Sequence, residues 1–357
     1  MSLRTAVDEQ REPMSLGIFM PNCSYTASIS TYKPDPDDWT YESNLRIARV
    51  AEAAGFDFLF PIAKWRGFGG KTNYLGTSLE TMTWASALLA QTSRIHVFST
   101  VHVPIFHPLV AAKMGATIDH ISNGRLALNV VSSWWEQEAR MYGVDFERHD
   151  DRYGRTAEWL DVVNGVWSKK TYSHTGKYYR TEETVLEPKP VRTPRPPIYA
   201  GGESDAAKNL IARTCDAYVM HGDSPAHVAA KVADMSERRE KLGLGRMQFG
   251  VAGYAFTRGS DREVSEELER ITNVQQNAKG YANYQQWLQG TQLEQSMTIE
   301  EYSVSNRGLR SGLVGTPSQI QDQVGKFMEA GVDLLLLQFS PQLEEMERFS
   351  DRVIRRT

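Results

Sequence analysis

Val332-Asp333-Leu334-Leu335-Leu336-Leu337-Gln338-Phe339 is an apolar run of strand length. It does not alternate, so both of its faces need burial, as in a parallel strand covered on each side by helices. Helical apolar spacing precedes it over 318–330 and follows it over 342–355. The same alternation runs back through the chain. Strands are expected at 15–20, 56–60, 95–101, 125–131, 197–200, 216–220 and 248–257. Helices are expected at 41–54, 79–90, 108–121, 151–167, 204–214 and 225–242. Several carry the right punctuation: Gly55 behind the first, Pro108 opening the third, Ser204 as an N-cap. About eight βα units with right-handed crossovers favour an α/β fold of one kind, a single closed (β/α)8 TIM barrel, over an open doubly wound sheet.

No composition break marks a second domain. Residues 15–357 are expected to form one domain behind a polar, disordered lead at 1–14. Residues 171–186 read as a hairpin and 187–197 (EPKPVRTPRPP) as an extended connector. Two segments exceed a minimal barrel: the Gly-rich stretch 64–78 and an insertion at 262–312, before the last βα unit. Such barrels carry their sites on the loops that follow the strands. The insertion is therefore expected to be a lid or helical excursion, mobile without ligands.

Composition narrows the function. The 357 residues are 41% hydrophobic, with 40 basic and 44 acidic side chains and a net charge of −4. That length allows a large core, and the balance excludes a basic nucleic-acid footprint. Two cysteines, Cys23 and Cys215, exclude a disulfide scaffold and a Cys-rich zinc site. No apolar run approaches the roughly 18 residues of a membrane helix. The opening MSLRTAVDEQREPM lacks the apolar core of a secretory signal. These features place the expected protein in the cytoplasm, off membranes and nucleic acid. There is no Walker loop, nucleophile elbow, HExxH or paired CxxC. The eight histidines show no metal-ligand spacing. The hard chemistry is therefore expected to belong to a bound organic cofactor, with no metal.

The strand ends hold the candidates. Asn129 closes a strand, and its amide both donates and accepts, as a flavin or nucleobase edge requires. A satisfied buried asparagine accounts for it equally well. Arg152 and Tyr153 follow His149-Asp150-Asp151, where the aspartates also suit a helix N-cap. Gly201, Gly202 and Ser204 lie between a strand and a helix, a place where backbone N–H groups can meet a phosphate. His102, His221 and Tyr254 stand near strand ends as candidates for proton handling. Trp65, Phe68, Trp134 and Trp135 are candidates to wall a dry pocket, with core packing as the alternative for each.

Several spaced blocks, in order, resemble the bacterial-luciferase-like flavin monooxygenases over nearly the whole chain from Leu16. They are Ala116-Thr117-Ile118-Asp119-His120-Ile121-Ser122-Asn123-Gly124-Arg125 running on to Asn129-Val130-Val131-Ser132, then His149-Asp150-Asp151-Arg152-Tyr153, Gly201-Gly202-Glu203-Ser204 and Leu313-Val314-Gly315-Thr316-Pro317. The resemblance is to the two-component branch. It implies a monooxygenase that takes FMN in reduced form (FMNH2) from a separate NAD(P)H-dependent flavin reductase and uses O2 to oxidise a small organosulfur compound, a sulfone or sulfonate. It also implies a homodimer or homotetramer. Lys64-Trp65-Arg66-Gly67-Phe68-Gly69-Gly70-Lys71-Thr72 resembles the pyrimidine-ring enzymes, so oxidative opening of an N-heterocycle is the alternative. A deazaflavin oxidoreductase or a non-catalytic flavin binder of this fold stands behind it. The resemblance aligns Ala63, Lys64, Asn129, Glu138, Arg152, Tyr153, Gly201, Gly202 and Ser204 with flavin contacts. It sets Arg310, with Arg307, where related sulfonate enzymes bring an arginine over the substrate; solvated loop arginines explain that pair as well.

Overall fold

The computed structural model describes residues 14–24, 38–70, 73–132, 135–274, 282, 285, 298–304 and 307–354. Eight parallel strands close a barrel: β1 (Ser15–Phe19), β2 (Phe58–Phe60), β3 (His96–His102), β4 (Leu126–Val131), β5 (Ile198–Ala200), β6 (Ala217–Met220), β7 (Gln248–Tyr254) and β8 (Leu334–Gln338). Neighbours in the barrel are neighbours in sequence, and β8 closes onto β1 with Ser15 opposite Leu334. Outside lie α1 (Tyr41–Ala54), α2 (Thr81–Leu89), α3 (Pro108–Ser122), α4 (His149–Ser168), α5 (Asp205–Thr214), α6 (Pro225–Lys241), α7 (Pro317–Glu329) and α8 (Gln342–Phe349).

The leucine run shows why the fold closes. Leu335 and Leu337 face the helices and join the large outer core. Leu334 and Leu336 face the barrel axis with Phe58, Phe60, Phe98, Tyr199 and Ala252. Each buried leucine contributes about 1.5–3 kcal/mol. Small residues make room on the axis: a Cβ on Gly17 would sit 2.2 Å from the Phe58 ring. The turn before β4 is held by Asn123 and Gly124, both left-handed. Arg125 then donates to the carbonyls of Leu89 (2.8 Å), Thr92 (2.9 Å) and Ile95 (2.9 Å), tying α2 and α3 to the strand floor.

The structure differs from the sequence expectation in a few places. Met14, the last residue of the expected lead, is buried in the core; residues 1–13 lie outside the described residues. The strand expected over 248–257 is interrupted at Ala255, and Phe256–Thr257 pairs with Val314–Gly315 instead. The last helix gives way to a π turn over Ser350–Ile354. The hairpin forms, as Tyr172–Thr175 with Arg180–Thr184. Of the insertion, Asp261–Thr272 is a helix burying Val264 and Ile271. Ile299–Tyr302 and the 3-10 turn Gly308–Ser311 pack near the barrel mouth; Tyr302 and Arg307 are almost fully buried. Residues 275–281 and 286–297 lie outside the described residues, as do Lys71, Thr72 and Trp134. No described helix is long and apolar enough to cross a membrane.

Candidate active site

A cavity of about 300 Å³ opens at the C-terminal mouth of the barrel. All eight strands contribute to its lining: Phe19, Phe60, His102, Asn129, Gly201, His221, Gly253 and Gln338 stand within two residues of the end of one each. This is where a (β/α)8 barrel gathers side chains from distant parts of the sequence.

One side of the cavity is apolar. Met20, Phe68, Tyr74, Leu75 and Tyr302 line it. Phe68 stacks between Trp135 (5.3 Å between ring centres) and Tyr74 (6.1 Å), and Tyr302 meets both Phe68 and Tyr74 edge-on. Asn22 fixes this wall: it donates to the carbonyls of Ile62 (2.9 Å) and Leu79 (3.0 Å) and accepts from the Ile62 amide. Trp65 is 48% exposed and does not face the cavity.

The other side is polar. β3 and β4 are in register at Thr100 and Asn129. Asn129 Nδ2 donates to Thr100 Oγ1 (3.2 Å), which donates to the Pro61 carbonyl (2.7 Å). The Asn129 amide is thereby oriented across the strands. Arg152 and Tyr153 enter from the first turn of α4, with the Arg152 guanidinium 4.4 Å above the Phe146 ring centre. Gly201 and Gly202 follow β5. A Cβ on Gly201 would lie 2.7 Å from the Val219 carbonyl, and one on Gly202 2.6 Å from the Ala207 Cβ and 3.6 Å from the Tyr153 hydroxyl. Ser204 caps α5, accepting from the Ala207 amide. A glycine turn, a capped helix start, Arg152 and Tyr153 thus converge on one end of the cavity, an arrangement that fits an anionic tail.

Three imidazoles line the cavity, that of His149 at the start of α4 and the two buried ones of His102 and His221. His102 ends β3, and its buried Nε2 has no hydrogen-bond partner among the described residues. Burial holds its pKa down to about 4. His221 is brought to about 4 by burial and then by the Arg307 charge. Both are neutral near pH 7. Arg307 itself pairs with Glu203 at 2.6 Å, and Lys231 approaches the same carboxylate at 3.4 Å.

The remaining sequence candidates fall elsewhere. Lys64 and Glu138 do not line the cavity. They bond to each other at 2.9 Å, and the same Glu138 oxygen accepts from the amides of Trp65 and Arg66. Lys64 Nζ also lies 3.8 Å from the Trp135 ring centre. Burial lowers its pKa to about 8 against the pull of Glu138. Tyr254 points away from the axis, because its neighbour Gly253 takes the inward position; it packs with Phe256, Val264, Ile271 and Val304. Arg310 is paired to Glu301 through two nitrogens and does not line the cavity. Sequence reasoning missed Thr100, which the period of two places on the face of His102. It also missed Met20, Tyr74 and Tyr302; the last comes from the insertion, and no local signal carries it to the mouth. A second depression, of about 380 Å³, is lined by Arg258, Glu345, Arg348 and their neighbours. Those three are ion-paired within it, so it reads as a structural ion-pair cluster.

The luciferase-like monooxygenase family model matches residues 14–334. An FMNH2-dependent dimethylsulfone monooxygenase of Pseudomonas fluorescens is 32% identical over 354 residues, 96% of this chain and 94% of that protein. The pyrimidine monooxygenase RutA of Pseudomonas syringae is 33% identical over 235 residues, 64% of each chain. The crystal structure of DmoA from Hyphomicrobium sulfonivorans superposes with a TM-score of 0.82 at 18% identity, covering 97% of this chain and 88% of that one. At that identity the superposition speaks to the fold alone.

Proposed function

The chain belongs to the luciferase-like monooxygenase family, and on that premise we propose that it uses reduced FMN and O2 to oxidise a small neutral organosulfur compound, a sulfone ahead of a sulfonate. One observation carries the reading: a single cavity has an aromatic and thioether wall on one side and an anion-fitting end on the other. The residues present fit the cofactor. Gly201, Gly202, Ser204, Arg152 and Tyr153 would hold its phosphate, and Thr100, Asn129 and Ala63 would flank its ring. Bound in its reduced form, FMN supplies the two electrons that activate O2. The chain supplies the rest. Phe68, Tyr74, Leu75 and Tyr302 keep water from the reacting centre. Asn129, oriented by Thr100, fixes the ring edge. His102 offers a neutral imidazole at the polar boundary.

Charge separates sulfone from sulfonate. Among the described residues lining the cavity, Arg152 is the single lysine or arginine, and it stands at the phosphate end. Lys64, Arg307 and Arg310 each carry a carboxylate partner. A sulfonate on the aromatic side would lose its hydration without a countercharge, a cost of several kcal/mol. Residues 15–357 then act as one catalytic domain, in a homodimer or homotetramer in the cytoplasm. Like its FMNH2-dependent relative, the enzyme takes reduced FMN as a substrate, here from a separate NAD(P)H-dependent reductase.

The deciding experiment is an anaerobic fluorescence titration with reduced and then oxidised FMN, followed by coupled assays on sulfones, sulfonates and uracil. Tighter binding of the reduced form and turnover of sulfones support the proposal. Equal binding of both forms removes the separate-reductase element. Turnover of uracil alone transfers the assignment to ring opening.

A further inference from the structure

We infer that His102 joins the active cavity to a water-holding side recess and passes protons between the two. The use made of that proton rests on the flavin reading above; the route itself does not. The recess measures about 80 Å³ and lies between the loop after β2 and the start of α2. Ala63, Thr100 and His102 line both spaces. The recess extends past Ser78 and Glu80 to the half-exposed Trp65. A water needs roughly 10–15 Å³ and two to four polar partners, so the recess has room for several.

Its polar walls are mostly engaged with protein. Ser78 donates to the Lys64 carbonyl, Thr81 to the Thr100 carbonyl, and Glu80 caps α2 by accepting from the amides of Met82 and Thr83. These oxygens keep spare acceptor capacity. His102 Nε2 differs, being buried with no hydrogen-bond partner among the described residues. Buried polar atoms are rarely left so, and a water entering from the recess would supply the partner. The charged groups acting on His102 are Glu138 and Lys64, which pair with each other and pull its proton affinity in opposite directions. Burial keeps the imidazole neutral, with one nitrogen donating and the other accepting, the form that takes a proton on one side and releases it on the other.

The chemistry asks for such a route. When reduced FMN enters as its monoanion, the monoanion, O2, substrate and one proton yield oxidised FMN, one water and the product carrying one added oxygen atom. The proton comes from solvent, while the aromatic wall keeps bulk water from the reacting centre.

Phe106→Trp and Leu79→Phe each enlarge a side chain of the recess that does not line the main cavity. Deuterium exchange at the imidazole C2 position, read by mass spectrometry on the flavin-free protein, reports solvent access to each histidine. His102 is expected to exchange in the wild type and to slow by at least about fivefold in both variants, with His149 and His221 unchanged. The inference is overturned if His102 exchanges equally fast in a folded plugged variant, or stays protected in the wild type. In turnover, Phe106→Trp is expected to slow the reaction and enlarge its solvent isotope effect while the Kd for reduced FMN holds. His102→Gln should abolish any further effect of the plug; additive losses would also count against the route. A wild type that exchanges as described but binds no reduced FMN would sink the flavin reading and leave the route standing.

Discussion

The Lys64–Glu138 pair shows what a buried charge does when it is not at the reacting centre. Lys64 is held at about 8 by burial, even with Glu138 at 2.9 Å. Its folded-state affinity for protons thus lies below the ordinary 10.5, so this group adds stability as pH rises from about 8 to 10.5. Removing only the carboxylate leaves a buried, uncompensated ammonium. Glu138→Ala is expected to lose about 3–5 kcal/mol in urea unfolding, and Lys64→Met with Glu138→Leu much less. Equal losses for the single and double variants would mean that the amides of Trp65 and Arg66, not Lys64, are the partners that matter. His102 and His221 work in the acid range. Both are held near 4, below the ordinary 6.5, so the unfolded chain binds their protons more readily. Their contribution is complete above pH 6.5 and is lost as pH falls through 4. Unfolding midpoints between pH 7 and 4.5 should fall more steeply for the wild type than for His102→Gln. Sequence identified both histidines as strand-end residues. It could not show Lys64 turned toward Glu138, because that contact joins residues 74 apart, a loop after β2 and the short helix Glu136–Met141.

At the level of strands and helices, the pattern VDLLLLQF carried the most information, because burial on both faces is a demand that few folds meet. Every expected barrel strand formed, with shifts of one or two residues at most ends. Caps explain the helix boundaries that came out well: Gly55 is left-handed behind α1, and Ser204 bonds the Ala207 amide ahead of α5. The misses have local causes. Ala255 sits where β7 leaves the barrel wall, so an apolar run that reads as one strand serves two sheets. Alternate leucines of β8 have different surroundings, and this can be measured. Leu336 fills the barrel axis beside the small residues Gly17 and Ala252, among the rings of Phe58, Phe60, Phe98 and Tyr199. Leu336→Ala is expected to cost about 2–5 kcal/mol, toward the upper end of the range for cavities that cannot relax. A loss under about 1 kcal/mol would mean that the aromatic residues on the axis repack into the space.

Across the whole molecule, the return of the insertion is joined to the barrel at a point the sequence could not reveal. The insertion is expected to be mobile without ligands; of its described parts, Tyr302 and Gly308 line the cavity at the mouth. Arg307, 1% exposed, places its guanidinium on Glu203, a residue 104 positions away beside the glycine turn. Its backbone comes close as well: a Cβ on Gly222 would lie 2.4 Å from the Arg307 carbonyl. Tyr302 and Gly308, on either side of Arg307, line the cavity. One ion pair therefore links the aromatic wall to the anion-fitting end. Arg307→Met preserves bulk and removes the charge, leaving Lys231 beside Glu203 at 3.4 Å. Loss of one partner of a buried pair costs about 3–5 kcal/mol when the other stays buried. Here Glu203 keeps a second cation and the tethered segment can open locally, so the change should appear as loosening at the mouth. Amides of Ile299–Tyr302 and Gly308–Ser311 are expected to exchange at least about tenfold faster, which corresponds to 1.4 kcal/mol or more of lost local stability. Those of β3 and β4 should hold. Affinity for reduced FMN should fall with them, since the wall and the phosphate end would no longer be fixed to each other. Uniform loss of protection throughout the barrel would show that Arg307 supports the fold as a whole; unchanged protection near Tyr302 would show that apolar packing alone holds the insertion in place.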